Sequence, residues 1–498
     1  MSTMNMLRVL LSLWVWLLCA GSVWGGGGTL LWQDRFDHGL GLNSANGVAV
    51  KGKRVFAAGR GYVCEDPPGC TVHSREWVVR AHDTKTGVLL WQDQFDRGGG
   101  ASEAQAIAAA STGVFSAGRG TGCANPPDCT ERGATDWVVR ANHPKTGALL
   151  WQDHLDLGLG INAAEDITVL GKRVFAAGFG VPCETGPCPD IPNWLVRGYD
   201  AKTGTLRWQD QFDNGGGRSG ADASSITGHD KRVFAAGFTL TCFAPNEGGG
   251  CTGAWLVRGY DAKSGALIWH DQFDRGGGSS EADVIVANGR RVFAAGTGRT
   301  CDNPPDCTEG RTEGLVRTYD AKTGTLLWHD YFDSGAGYEA PRAMAVKGER
   351  VFVVGQGVTC DDLPVCTNRR QEWFVRAYTT KTGLLLWENR FDNGGGSNEA
   401  SAVAVKGKRV FVAGFGNTCD DPPDCDDHRE EWVVRAHDAK TGALLWQDGY
   451  EHGGGFNLAN AIAAKGKRVF AVGFGLTCFD GSDCDYRQEW LIRAYSTK

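Results

Sequence analysis

Cysteines are the residues of this sequence whose spacing first suggests chemistry. Apart from Cys19, they form eight close pairs: Cys64 and Cys70, Cys123 and Cys129, Cys183 and Cys188, Cys242 and Cys251, Cys301 and Cys307, Cys360 and Cys366, Cys419 and Cys425, and Cys478 and Cys484. Thiolate metal sites are one interpretation, but they usually join four ligands from pairs about two to four residues apart. An even number of cysteines at a repeated spacing instead predicts eight local disulfides and an oxidising compartment.

Aspartates gather in the cysteine loops of the last three repeats. The cluster comprises Asp361, Asp362, Asp420, Asp421, Asp424, Asp426, Asp427, Asp480, Asp483 and Asp485. Such carboxylates attract cations, and their oxygens suit a hard divalent ion such as calcium. We predict a calcium site formed by Asp420, Asp421, Asp424, Asp480 and Asp483. A solvated acidic rim is the alternative, because none of these loops has the ligand order of an EF-hand, and no other cofactor is expected.

One arginine recurs at the same place in every repeat: Arg80, Arg140, Arg197, Arg258, Arg317, Arg376, Arg435 and Arg493. A catalytic site needs unlike groups that converge once, whereas these arginines supply eight equivalent positions. We therefore expect a structural role. Nearby aspartates such as Asp93, Asp210 and Asp448 would be their partners in charge-assisted hydrogen bonds.

Tryptophan marks the repeat that must position these residues, at Trp32, Trp91, Trp151, Trp208, Trp269, Trp328, Trp387 and Trp446. Between residues 400 and 448, four runs rich in valine, phenylalanine and tryptophan are separated by short turns. These features predict a four-stranded antiparallel meander, and such a sheet repeated radially is a propeller blade. The predicted fold is therefore all-β, an eight-bladed β-propeller with these tryptophans packed between the blades.

The two ends of the chain complement each other in this repeat. The last repeat stops at RAYSTK without a fourth strand, and GGTLLWQD near the N-terminus supplies that strand, so we expect it to complete blade 8. In a meander, alternate connections fall on opposite sides. The cysteine loops should therefore share one face with the FDxGGG segments, the loop face, and the KGKR and AKTG turns should share the other, the turn face. We expect ligands to approach the loop face.

The repeat is broken at a few places. A second tryptophan opens the third strand of every repeat except the fifth, where Gly314 stands: Trp77, Trp137, Trp194, Trp255, Trp373, Trp432 and Trp490. The gap at Gly314 is either a pocket or a site of compensating packing. The segment YEAPR, from Tyr338 to Arg342, is a second departure, and such places are where a unique site would be found.

Three segments carry a family resemblance: YDAKTGTLLW from Tyr319 to Trp328, YDAKTGTLRW from Tyr199 to Trp208, and HDAKTGALLW from His437 to Trp446. They resemble the signature of PQQ-like β-propeller repeats, and the resemblance covers essentially the whole predicted propeller. It implies the fold but no single activity, because the same blades occur in quinone-dependent dehydrogenases and in cofactor-free scaffolds, including lipoprotein propellers of envelope assembly.

The sequence lacks the signatures of three enzyme classes. The adjacent cysteine pair of quinoprotein dehydrogenases, a G-x-S-x-G nucleophile elbow and an H-E-x-x-H zinc motif are all missing. We therefore predict a non-enzymatic binding module or assembly scaffold whose partner is a protein or a small extracellular ligand. A quinoprotein-type oxidoreductase is the alternative. A net charge of -7 gives no support for nucleic-acid binding, and we expect a monomer.

Residues 1–25 have the composition of a secretory signal peptide. Arg8 precedes an apolar run from Val9 to Leu18, and small residues follow it. The run is shorter than the ~20 residues that span a bilayer as a helix, so no transmembrane segment is expected. Leu18 stands where a lipidated cysteine needs a small residue, which disfavours a lipid anchor at Cys19. We predict a secreted or periplasmic protein with one propeller domain from residue 26 to residue 498.

Overall fold

Thirty-two strands form the described part of the chain, and none of its residues is helical. The computed structural model describes residues 28–37, 42–64, 73–98, 101–123, 132–158, 160–182, 191–215, 219–242, 251–301, 310–335, 337–360, 369–394, 396–419, 428–451, 454–478 and 486–498. The predicted signal peptide and most of the cysteine-loop residues lie outside these ranges.

Each blade is an antiparallel meander of four strands. The first strands are β2 Ser44–Lys51, β6 Ala101–Ala109, β10 Asn162–Leu170, β14 Ser219–His229, β18 Ser280–Asn288, β22 Glu339–Lys347, β26 Asn398–Lys406 and β30 Gly454–Lys465. The second strands are β3 Arg54–Cys64, β7 Val114–Cys123, β11 Arg173–Gly180, β15 Arg232–Cys242, β19 Arg291–Arg299, β23 Arg350–Cys360, β27 Arg409–Cys419 and β31 Arg468–Cys478.

The outer half of each blade contains the third and fourth strands. The third strands are β4 His73–Asp83, β8 Arg132–Asn142, β12 Asn193–Asp200, β16 Cys251–Asp261, β20 Thr312–Asp320, β24 Arg369–Thr379, β28 His428–Asp438 and β32 Tyr486–Ser496. The fourth strands are β5 Leu89–Phe95, β9 Leu149–Leu155, β13 Leu206–Phe212, β17 Leu267–Phe273, β21 Leu326–Phe332, β25 Leu385–Phe391, β29 Leu444–Tyr450 and, in blade 8, β1 Leu30–Phe36.

The N-terminal strand closes the propeller, which confirms the closure predicted from the sequence. β1 pairs with β32, and Gln33 lies opposite Arg493 in that ladder. The first strands of neighbouring blades contact each other around the whole circle, including β2 with β30. These eight strands therefore form the wall of a central channel, and blade 8 keeps no unpaired outer edge.

The repeated tryptophans pack between blades, as predicted. Trp91 lies against the turn of the next blade, where a side-chain carbon at Gly147 would come within 2.7 Å of the indole. Gly147 has a φ of 76°, a conformation that glycine adopts without strain. The indole nitrogen of Trp91 also donates to the carbonyl of Pro144 at 3.2 Å. One repeated contact thus fixes both the turn and the neighbouring blade.

The gap predicted at Gly314 is filled by packing. A side-chain carbon at Gly314 would meet the ring of Phe332 at 2.4 Å. Phe332 is buried and makes an edge-on contact with Phe374, with 5.3 Å between the ring centroids. The smaller residue is therefore compensated by a neighbouring aromatic ring, and this position is not a pocket.

Candidate functional site

The repeated arginines hold the blades together, which confirms their predicted structural role. In seven of the eight blades the guanidinium binds an aspartate on the outer strand of the preceding blade: Arg80–Asp34, Arg140–Asp93, Arg197–Asp153, Arg258–Asp210, Arg317–Asp271, Arg376–Asp330 and Arg493–Asp448. The N···O distances run from 2.8 Å in Arg197–Asp153 to 3.4 Å in Arg258–Asp210. These charges serve the scaffold, so a unique site must lie elsewhere.

A β-bulge interrupts the first strand of every blade near its loop-face end. A bulge leaves a residue out of the ladder and re-aims its side chain. In this protein the out-of-register side chains are all polar and of six types, and we call them the bulge ring: Asn46, Gln105, Glu165, Ser224, Asp283, Arg342, Ser401 and Asn460. None of the eight is fully buried, so they line the channel.

The bulge ring is joined across blades by polar contacts. The Asn460 amide donates to the carbonyl of Ala45 at 2.9 Å, and the Asn46 amide donates to the carbonyl of Ala104 at 2.8 Å. Arg342 lies 3.7 Å from the Glu399 carboxylate in the next blade. The ring therefore belongs to the rigid wall of the channel rather than to a loop.

Four carboxylates concentrate on one side of this wall, in blades 3 to 5. We call Glu165, Asp222, Glu281 and Asp283 the acidic arc. All four side chains are partly exposed, but Oδ1 of Asp222 and Oδ2 of Asp283 are out of contact with solvent and make no hydrogen bond within the described residues. Such unpaired oxygens are costly unless the group is neutral or a partner binds.

Burial raises the pKa of three carboxyl groups of the acidic arc. Burial, followed by the charges of Glu165 and Glu281, raises the pKa of Asp222 to about 7. Burial and the charge of Glu281 raise the pKa of Asp283 to about 8, although Arg342 opposes the shift. Burial also raises the pKa of Glu165. The arc can therefore gain or lose protons near neutral pH.

Glu103 shows how the same wall treats a carboxylate outside the arc. Arg75 binds it at 2.7 Å, and Arg60 and Arg119 lie at 3.3 and 3.4 Å. The Gln105 amide donates to it at 2.6 Å. Three arginines, two of them from blade 1, thus neutralise this acidic residue of blade 2, whereas Asp222 and Asp283 lack an ion-pair partner among the described residues within 4.0 Å.

Three second strands carry an aromatic ring at this level of the wall, and one of the rings lies opposite a member of the acidic arc. Phe238 is the cross-strand partner of Asp222, Phe179 that of Ala163, and Phe415 that of Glu399. Cross-strand partners present their side chains on the same side of a sheet, and all three rings are only partly buried. Carboxylates flanked by aromatic faces suit a cation with an apolar stem, such as lysine or arginine.

Sequence comparison identifies the family of this propeller. The family model described as the outer membrane protein assembly factor BamB matches residues 74–312, 252–417 and 312–473, which together cover most of the chain. The chain belongs to this family. No curated protein sequence matches it.

Solved propellers related to the family share the architecture. The quinohemoprotein alcohol dehydrogenase of Comamonas testosteroni has a TM-score of 0.54 and 12% identity, over 95% of this chain and 76% of that one. The quinohemoprotein alcohol dehydrogenase ADHIIG of Pseudomonas putida HK5 has a TM-score of 0.53 and 14% identity, over 94% and 76%. BamB of Moraxella catarrhalis has 12% identity and a TM-score of 0.48, over 94% and 99%. At these identities the likeness shows the fold alone.

The sites predicted from the sequence fall mostly in the undescribed cysteine loops. Asp420, Asp421, Asp424, Asp480 and Asp483 all lie there, so the calcium site stays a prediction. Cys242 and Cys251 form the predicted disulfide, and Cys301, Cys360 and Cys419 are also disulfide-bonded. The described residues contain no cluster of three potential metal ligands and no helix long and apolar enough to cross a membrane.

Sequence reasoning did not identify the acidic arc. A signal was present, because the residue after a recurring alanine in the first strand, replaced by Pro341 in the sixth repeat, is polar in every repeat and varies among the repeats. Only Arg342 had been noticed, as part of the altered YEAPR segment. In the structure Arg342 lies next to the acidic arc, since its charge acts on both Asp283 and Glu399.

Proposed function

We propose that this protein is an exported, non-enzymatic binding module that holds a protein partner at the loop-face mouth of its channel. The acidic arc is the observation that carries the proposal. It combines carboxylate oxygens that have no partner with the half-buried ring of Phe238, and it is built once in an otherwise repetitive wall. The description of the family as an assembly factor supports a scaffold role.

The chemistry of the arc points to a basic segment of the partner. A lysine or arginine side chain would supply the hydrogen-bond donors that Asp222 and Asp283 lack, while its stem lies against Phe238. Asp222 and Asp283 lie close to the loop-face ends of their first strands. A partner could therefore insert a side chain without opening the propeller.

Quinone chemistry is the second candidate because solved quinohemoprotein dehydrogenases share the fold. Pyrroloquinoline quinone carries three carboxylates, which ionised carboxylates of the acidic arc would repel. The residues of this wall fit that cofactor poorly, and we derive no step through it. Added quinone and calcium should give neither a stable quinone absorbance nor dye-linked alcohol oxidation. Stoichiometric quinone binding would favour the oxidoreductase instead.

A calorimetric titration with a lysine–glycine repeat peptide tests the binding proposal. We expect saturable one-to-one binding to the full chain, and Asp222→Asn with Asp283→Asn should weaken it at least roughly tenfold, because a charge-assisted hydrogen bond contributes about 1.5–3 kcal/mol. A glutamate–glycine repeat peptide should not bind.

The matched control changes the same number of charges on the turn face. Asp230 and Glu349 are exposed there, and Asp230 has a φ of 54°, a conformation that asparagine tolerates. Asp230→Asn with Glu349→Gln should leave the affinity for the peptide unchanged. Equal loss of affinity in both double variants would mean that the peptide responds to net charge alone, and the arc would then not be the site.

A further inference from the structure

The turn face carries a continuous array of basic side chains. Its turns and chain end contain 25 lysines and arginines but only seven aspartates and glutamates, counted over residues 51–54, 83–86, 110–113, 143–146, 171–173, 200–203, 230–232, 261–264, 289–291, 320–323, 347–350, 379–382, 406–409, 438–441, 465–468 and 496–498. The net charge of -7 for the whole chain conceals this asymmetry. A large field of one sign attracts a partner of the opposite sign.

Few of these cations form a close ion pair within the described part of the face. Among the described residues, one ion pair within 4.0 Å involves an aspartate of an AKTG-type turn. It joins Arg207 to Asp200. The other aspartates of these turns are occupied by their own backbone, since the N–H groups of Thr86 and Thr441 bind Asp83 and Asp438 at 3.0 and 2.9 Å. Those bonds lower the pKa of both carboxyl groups.

A ring of arginines at the start of the second strands also has unused donors. The Nε atoms of Arg54, Arg232, Arg291, Arg350 and Arg468 are buried and make no hydrogen bond among the described residues. Between neighbouring turns lie open grooves of about 550 and 670 Å³, lined by Arg290, Arg291 and Lys381 in one and by Arg290, Arg232 and Lys322 in the other. The face therefore offers both exposed and recessed cationic donors.

Exposed leucines adjoin each lysine turn around the rim. The outer strands begin with a large apolar pair after the AKTG-type turn, as at Leu89 and Leu90, which are 41% and 42% exposed. The same pair is exposed in most other blades, for example Leu149 with Leu150 and Leu444 with Leu445. Lysines next to exposed apolar residues are the composition of surfaces that lie in a membrane interface.

The described chain begins on this same face. The Gly28 amide donates to the carbonyl of Lys498 at 2.7 Å, beside the turn of blade 8. Residues 1–27 precede it and contain the apolar run from Val9 to Leu18.

We propose that the turn face docks on the surface of a bilayer that contains anionic lipids. The array spans all eight blades, so it matches a plane of many phosphate groups better than one small anion. The rim leucines would enter the boundary between headgroups and acyl chains, and the lysines would meet the phosphates. In this orientation the loop face and its acidic arc point away from the membrane, where a partner can reach them.

Vesicle co-sedimentation with the full chain tests this docking. Binding to vesicles that contain about 30% phosphatidylglycerol should exceed binding to pure phosphatidylcholine vesicles, and about 0.5 M salt should abolish the difference. Lys202→Glu, Lys263→Glu and Lys322→Glu together should weaken binding to the anionic vesicles by roughly 100-fold, because each basic residue near the surface contributes about a fivefold change. An apolar N-terminal run would bind both types of vesicle alike, so the difference in binding between them measures the contribution of the charged face.

The matched control keeps the charge at the same positions. Lys202→Arg, Lys263→Arg and Lys322→Arg should bind anionic vesicles as the parent does, and thermal melts should show that both triple variants are folded. Equal binding to the two vesicle types would overturn the proposal. So would parental binding by the glutamate variant, displacement of the vesicles by inorganic phosphate at millimolar concentration, or tighter binding to a single-stranded RNA of matched charge.

Discussion

The guanidinium of Arg435 lies over the ring of Phe391, with 3.9 Å between Cζ and the ring centroid. This is the repeated stacking contact, seen also for Arg80 on Phe36 at 4.2 Å. At this blade interface, however, Asn389 stands where the other outer strands carry the aspartate that binds the arginine. Nε and Nη1 of Arg435 make no hydrogen bond among the described residues, and burial lowers its pKa to about 10.

Restoring the repeat at this interface should stabilise the protein. Asn389→Asp would place a carboxylate where Asp330 binds Arg376 in the preceding interface. We expect the free energy of unfolding to rise by about 1–3 kcal/mol, measured by chemical denaturation. Asp330→Asn is the reciprocal change and should lower it by a similar amount. A destabilising Asn389→Asp would show that Arg435 is compensated by something other than the missing carboxylate.

The compensating ring in blade 5 should be unusually costly to remove. Phe332 fills the space beside Gly314, whereas Phe95 at the equivalent place in blade 1 is less buried and contacts Trp77. Phe332→Ala should therefore cost about 3–5 kcal/mol of stability and Phe95→Ala distinctly less. Equal losses in denaturation experiments would mean that blade 5 repacks around the deletion.

Closure by the N-terminal strand should be essential for a cooperative fold. A chain that begins after Phe36 loses β1, exposes the edge of β32 and removes Trp32 from its contact with the turn of blade 1. We expect aggregation or a large fall in the melting temperature. A chain that begins at Gly28 keeps these contacts and should melt as the full chain does. An unchanged melt after the longer truncation would contradict the closure argument.

Stability should fall as pH rises through neutrality because of the acidic arc. The pKa values of Asp222 and Asp283 are about 7 and 8 in the folded chain, against about 4 when unfolded. Below about pH 4 both the folded and the unfolded chain hold these protons. As the pH rises from about 4 to 8, the unfolded chain releases its protons first, and the free energy of unfolding therefore falls. Asp222→Asn with Asp283→Asn should raise the melting temperature at pH 8 but barely change it at pH 4. An equal change in melting temperature at all pH values would contradict this role of the acidic arc.

The features that repeat eight times were predictable, and the feature that occurs once was not. The blades, the closing strand and the Arg–Asp pairs recur with constant spacing, so each repeat confirms the others. Two members of the acidic arc, Glu165 and Asp283, lie at bulges, where a shift of one residue in register changes which side chain faces the channel. The arc also joins Glu165, Asp222 and Asp283, which lie in three different repeats. No local pattern shows that such residues will meet.

The acidic arc should give up protons when it binds a cation, and calorimetry in two buffers measures this release. The lysine–glycine repeat peptide would be titrated into the full chain at pH 7 in two buffers of different ionisation enthalpy. We expect proton release on binding, because Asp222 and Asp283 must be ionised to hold the cation. We also expect Asp222→Asn with Asp283→Asn to abolish the release. Tight binding with the same heat in both buffers, in parent and variant alike, would contradict this expectation.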